Sequence, residues 1–124
     1  KHWKAVKSYT TRLDGPYLFS FGGKIFAVGR QHDENVFPSN TGSILSRYRT
    51  ALYQVFEDRL VHLSDLPSAG DTSYAGVVIK DDYAYISYYT SPIKRDYPWI
   101  MGMLSESDIL IAKVPLKRLL EKAE

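Results

Sequence analysis

The chain has no cysteine among its 124 residues. That excludes disulfides and thiolate metal ligands and leaves the redox compartment open. No apolar run approaches the ~20 residues of a membrane-spanning helix, and no secretory signal peptide is visible. Charge of one sign is scarce as well: sixteen Lys and Arg stand against fourteen Asp and Glu, a net charge of +2. With no dense Lys/Arg run, this gives no footprint for nucleic acid. The expected partners therefore include neither nucleic acid nor a membrane, and no cofactor is implied. Lys1 rather than Met opens the chain, so a fragment or a trimmed or processed product is expected. What is abundant is tyrosine, with ten copies. The length allows one domain with a modest core.

The most telling stretch is Gly70-Asp71-Thr72-Ser73-Tyr74-Ala75-Gly76-Val77-Val78-Ile79, continuing into Tyr83-Ala84-Tyr85-Ile86-Ser87-Tyr88-Tyr89. A polar, Gly-containing lead-in, an apolar run, a Lys80-Asp81-Asp82 turn and an aromatic, β-branched return predict one β-hairpin. The same plan occurs earlier. Asp14-Gly15-Pro16-Tyr17-Leu18-Phe19-Ser20-Phe21 runs to Gly22-Gly23, and Lys24-Ile25-Phe26-Ala27-Val28-Gly29-Arg30 returns. Residues 31–49 read as a long polar loop, 50–55 as a third strand and 59–63 as a fourth. Residues 3–9 alternate roughly, with Trp3 and Ala5 on one face, and read as a further strand.

Setting the two halves against each other gives an offset of 57 between Asp14 and Asp71 and of 59 between residues 24–30 and 83–89. This places two added residues at the second turn. Residues 50–55 fall on 109–114, also at 59. Four short strands per period is the signature of β-propeller blades; two unrelated meanders, or one eight-stranded sandwich or barrel, are the alternatives. The expected class is thus all-β: β-propeller blades, two four-stranded antiparallel meanders, with a short C-terminal helix. The units cover 14–65 and 71–114 of a single partial domain, with strand 3–9 completing a blade. After Val114, Pro115 and the spacing of Leu116, Leu119 and Leu120 predict the helix. Two blades cannot close a ring of ~4–8. The remaining blades are therefore expected partners, from the same chain before truncation or from identical chains, three of which would supply six blades.

Leu13-Asp14-Gly15-Pro16-Tyr17-Leu18-Phe19, Ala27-Val28-Gly29-Arg30, Gly70-Asp71-Thr72-Ser73-Tyr74-Ala75-Gly76 and Ile86-Ser87-Tyr88-Tyr89-Thr90-Ser91 resemble the last two blades of bacterial sialidase-like and related glycoside-hydrolase-like propeller proteins. The sialidase Asp-box, Ser-x-Asp-x-Gly-x-Thr-Trp, is absent. What the resemblance implies is a carbohydrate-related function.

The residues themselves nominate a site. In an up-and-down blade the start of the first strand, the end of the second and the loop after it share one rim. That rim would gather Asp14, Asp71, Arg30, Tyr88 and Tyr89. The loops 31–49 and 90–108 would add His32, Asp33, Glu34, Arg95, Asp96, Tyr97 and Trp99. Paired carboxylates suit a glycosidic bond as general acid and as base or nucleophile. Sialidase-type chemistry instead uses a Tyr nucleophile with Arg clamps. Asp14, Asp71 and Tyr88 are therefore the candidate catalytic residues. Arg30, Tyr89, Arg95 and Trp99 are the candidate substrate-binding residues, and no metal is expected.

Each has a plainer reading. Asp14 and Asp71 suit turn capping through their own backbone, and Arg30 suits an inter-blade ion pair. Alternation along the strand puts at least one of Tyr85, Tyr88 and Tyr89 in the core. His32-Asp33-Glu34 is weak as a metal cluster, and His62 reads as structural. Asp96-Tyr97-Pro98-Trp99 suits a rigid loop packed on its own blade. Two function classes follow. An enzyme part would hold two carboxylates roughly 5–10 Å apart. A non-catalytic glycan-binding or scaffold propeller would have sites dominated by Tyr and Trp.

Overall fold

The computed structural model describes residues 2–5, 13–32 and 48–124. The first sheet contains β1 (Leu13–Phe21), β2 (Lys24–His32), β3 (Tyr48–Val55) and β4 (Leu60–Asp65), antiparallel in that spatial order. The second contains β5 (Ser73–Lys80), β6 (Tyr83–Thr90) and β7 (Asp108–Pro115), also in sequence order. A short helix, α1 (Trp99–Met103), interrupts the connection from β6 to β7, and α2 (Leu116–Lys122) follows β7. The chain is mostly β, with two open antiparallel sheets and a short helix near its C-terminus.

The two sheets share one register. Asp14, Tyr17 and Phe21 of β1 stand opposite Arg30, Val28 and Lys24, while Arg30 and Ile25 of β2 stand opposite Thr50 and Val55. Adding 59 to each of these numbers gives the pairings of the second sheet: Ser73 with Tyr89, Gly76 with Ser87, Lys80 with Tyr83, Tyr89 with Ile109 and Ala84 with Val114. Even the β-bulge repeats, between Asp14 and Tyr17 and again between Ser73 and Gly76. The first bulge places Gly15 at a φ of 56°, and the second places Ser73 at 140° and Tyr74 at 48°. A tyrosine there is strained where a glycine is not.

This register corrects the alignment read from sequence. Both hairpin turns have two residues, Gly22-Gly23 and Asp81-Asp82, so nothing is added at the second one. The structural counterpart of Asp14 is Ser73, and Asp71 lies two residues ahead of β5. A second correction concerns the four-strand count. The second sheet has three strands, and α2 stands where a fourth would follow. Leu116 and Leu119 sit three apart and are buried; that spacing suits a helix and not the two-residue period of a strand. Residues 3–5 of the expected N-terminal strand are not in a strand, and residues 6–9 lie outside the described residues.

The sheets pack head to tail. The core joins Phe19, Phe26, Val28 and Leu52 of the first sheet to Ala84, Ile86 and Tyr88 of the second, with Leu116 and Leu119 of α2. Shifted by 59, Phe19, Phe26 and Leu52 become Val78, Tyr85 and Ile111. These lie on the face of the second sheet opposite Ala84, Ile86 and Tyr88. Equivalent faces therefore do not meet; each sheet offers a different side to the shared core. A smaller cluster of Ala27, Ala51 and Tyr53 occupies the other face of the first sheet. Gly22, at φ +60°, allows Leu120 of α2 to close on the first hairpin, because a Cβ there would sit 2.9 Å from the leucine side chain.

Candidate functional site

At the seam between the sheets, residues 69–72 are held before β5 begins. The Asp71 amide donates to Ser91 Oγ at 3.0 Å, and the Ser91 amide donates to the Asp71 carbonyl at 3.0 Å. Ser91 Oγ in turn donates to the Gly102 carbonyl of α1 at 3.0 Å. Gly102 is needed for this contact: a Cβ on it would lie 2.6 Å from the Asp71 nitrogen and 2.8 Å from Gly70 Cα. On the other side, the Thr72 hydroxyl meets that of Thr50 in β3 at 2.7 Å.

Fixed in this way, the Asp71 carboxylate collects donors from three directions. Its Oδ1 accepts the Tyr89 hydroxyl at 2.9 Å, the Trp99 indole N–H at 3.2 Å and Arg30 Nη1 at 3.4 Å. Arg30 Nη2 lies 3.8 Å from Asp14 Oδ2, so one guanidinium faces both aspartates. Arg30, Asp14 and Asp71 each keep roughly a fifth of their side-chain surface open. Aromatic rings flank the group. Tyr48 lies under the guanidinium, 5.1 Å from ring centroid to Cζ, and 6.5 Å from the Trp99 ring. Tyr74, in its strained conformation, stacks on Tyr89 at 5.8 Å. Two buried polar atoms near this seam have no protein partner among the described residues, Arg30 Nε and Ser73 Oγ.

The electrostatics fix the state of Tyr89. Burial raises its pKa first, and the hydrogen bond and negative charge of Asp71 raise it further; Arg30 opposes them without winning. The phenol therefore stays protonated and donates. As a nucleophile it would have to ionise beside a carboxylate, which is the unfavourable direction.

Five of the seven sequence-nominated residues meet here: Asp14, Asp71, Arg30, Tyr89 and Trp99. Tyr88 does not. It points from the opposite side of β6 into the core, is 3% exposed and donates its hydroxyl to the Pro67 carbonyl at 2.8 Å. Burial raises its pKa too. Arg95 is also elsewhere, on the surface with Nη1 3.0 Å from the Tyr97 hydroxyl. The side chain of His32, and Asp33 and Glu34 altogether, lie outside the described residues. Among those described, no three His, Cys, Asp or Glu form a group that could hold a metal.

The plainer readings divide as well. The Asp71 side chain does not cap its own turn, because its oxygen serves three distant donors. Arg30 does form an ion pair between the sheets. The 96–99 segment reaches beyond its own sheet: Asp96 takes both arms of Arg49 in β3, each at 2.9 Å, and the Trp99 ring lies 6.5 Å from that of Tyr48 in β3. Sequence reasoning missed Tyr48, Tyr74 and Arg49. Tyr48 had a signal, since the alternation of Tyr48, Thr50 and Leu52 continues the third strand back into the supposed loop. No known protein family, curated protein or solved structure matches the chain.

Proposed function

We propose that the chain is a pair of blades from a sialidase-like or glycoside-hydrolase-like β-propeller and that the Asp71 site contacts a sugar. The observation that carries the reading is the Asp71 carboxylate held by Tyr89, Trp99 and Arg30, with Tyr48 against the guanidinium and Tyr74 stacked on Tyr89. Carboxylate and guanidinium groups match sugar hydroxyls, and aromatic faces match the apolar face of a pyranose. The propeller part is supported by the repeated register and by the head-to-tail seating of the sheets, which relates neighbours as blades are related.

A protonated Tyr89 and an Asp71 tied to three donors suit recognition more than nucleophilic attack. Catalysis is the second reading, and it is favoured by Asp14 and Asp71 facing one guanidinium, since glycoside hydrolysis uses two carboxylates. The test is a titration of the protein with acidic and neutral mono- and oligosaccharides, following Trp99 fluorescence with Trp3→Phe as background. A saturable change that disappears in Arg30→Ala is expected. No change with any sugar sinks the reading.

A further inference from the structure

The strongest unassigned feature is the outer face of the second sheet. Ile109 and Ile111 of β7 are 80% and 71% exposed and Val78 of β5 is 64% exposed; on β6 Ser87 stands opposite Ile111, and Tyr85 stands between Val78 and Lys113, whose amine lies 6.0 Å from the Tyr85 ring. Large apolar side chains this exposed on one sheet face, with polar groups beside them, mark an interaction site.

The repeat shows what covers such a face. Val78, Tyr85 and Ile111 are the 59-shifted counterparts of Phe19, Phe26 and Leu52, which the second sheet buries within this chain. The surface that buries them includes Val77 and Ala84, whose counterparts in the first sheet are Leu18 and Ile25. Those two are 59% and 50% exposed. The chain thus carries one half of its internal joint a second time, open, as Val78, Tyr85 and Ile111, and of the other half it leaves the hairpin corner open, at Leu18 and Ile25. Ala27, Ala51 and Tyr53, farther along the first sheet, are already covered, so only the β1–β2 hairpin is free to dock.

We propose that this face binds a second copy of the chain, head to tail, with β5–β7 of one protomer seated on the β1–β2 hairpin of the next. The contact reuses the hairpin corner of the joint between the two sheets of one chain, the part formed there by Val77 and Ala84. It is heterologous, so copies add in one direction until they close a ring or continue as a filament. The inference rests on the repeated-sheet part of the proposed function and is independent of the sugar.

Sedimentation velocity from micromolar to sub-millimolar concentration tests it. The native chain should associate. Ile109→Lys/Ile111→Lys and, separately, Leu18→Lys/Ile25→Lys should each weaken association by roughly 100-fold or more, because each buries charges in an apolar joint. All these positions are exposed, so thermal melts should confirm that both variants fold. Mixing the two variants should restore pairing, since each retains one intact half. A native chain that stays monomeric overturns the proposal, and the sugar titration of that monomer then judges the earlier reading by itself. Association lost only in the isoleucine variant overturns it also, because that is the behaviour of a symmetric face-to-face dimer.

Discussion

The Trp99 indole and the Tyr89 hydroxyl share one oxygen of Asp71, at 3.2 and 2.9 Å, although Trp99 lies 28 residues from that aspartate and Tyr89 18. A carboxylate held from both sides in this way is pre-oriented, and its substitutions separate charge from shape.

Asp71→Asn keeps an acceptor for Tyr89 and Trp99 but removes the charge facing Arg30. Asp71→Ala removes the acceptor too and leaves the donors around it unsatisfied. We expect urea unfolding to show a loss of about 1 kcal/mol for Asn and about 2–3 kcal/mol for Ala. Sugar binding should be lost in both. If Asn is as stable as the native chain, the charge has no role of its own; if Asn loses as much as Ala, the retained acceptor has none.

Alkaline stability should report Tyr89. Its folded pKa lies above the ordinary 10.0. Folded and unfolded states are therefore equally protonated below about pH 10, and stability there is independent of this group. Above that, the unfolded chain releases the phenol proton while the folded one retains it, so stability falls as pH rises. Chemical denaturation from neutral pH upward should show this decline, with Tyr88, raised by burial, contributing in the same direction. Tyr89→Phe should flatten the curve. An identical curve in that variant would remove Tyr89 from the account.

Gly102→Ala should act on the site from outside it. The new methyl meets backbone atoms of Gly70 and Asp71, which cannot rotate away, so α1 must move. The cost is about 1–3 kcal/mol, and Trp99 fluorescence should shift toward that of an exposed indole. Gly15→Ala offers the contrast. Nothing lies within 4 Å of its Cβ, and its φ of +56° alone carries the penalty, about 1 kcal/mol. Equal fluorescence in both variants would show that α1 does not position Trp99.

The hairpins were legible because local chemistry determines them. Gly22-Gly23 and Asp81-Asp82 turn the chain, and the alternation of Ala84, Ile86 and Tyr88 against Tyr85, Ser87 and Tyr89 separates core from surface. The same alternation held the clue that Tyr89, and not Tyr88, would face Asp71. Matching the two aspartates by residue type misled, because the repeat conserves backbone register and not side-chain identity: Ser73 takes the place of Asp14. Trp99 does reach the Asp71 carboxylate, but the five-residue helix that carries it was not visible. It has no side-chain cap, and its position depends on the close approach of Gly102 to Gly70 and Asp71, far earlier in the chain, which no local pattern encodes. Arg49 escaped notice because its partner, Asp96, belongs to the other sheet's connection.

Arg30 and Tyr48 come from the first sheet, Tyr89 from the second, and Asp71 and Trp99 from the segments joined to it. No single sheet owns the site. A ligand held there would be a clasp across two sheets that share one core, and would bind only when both are seated. Occupancy and cohesion are therefore thermodynamically linked: whatever fills the site also resists separation of the halves, and a lesion that loosens the seam far from any ligand atom lowers affinity all the same.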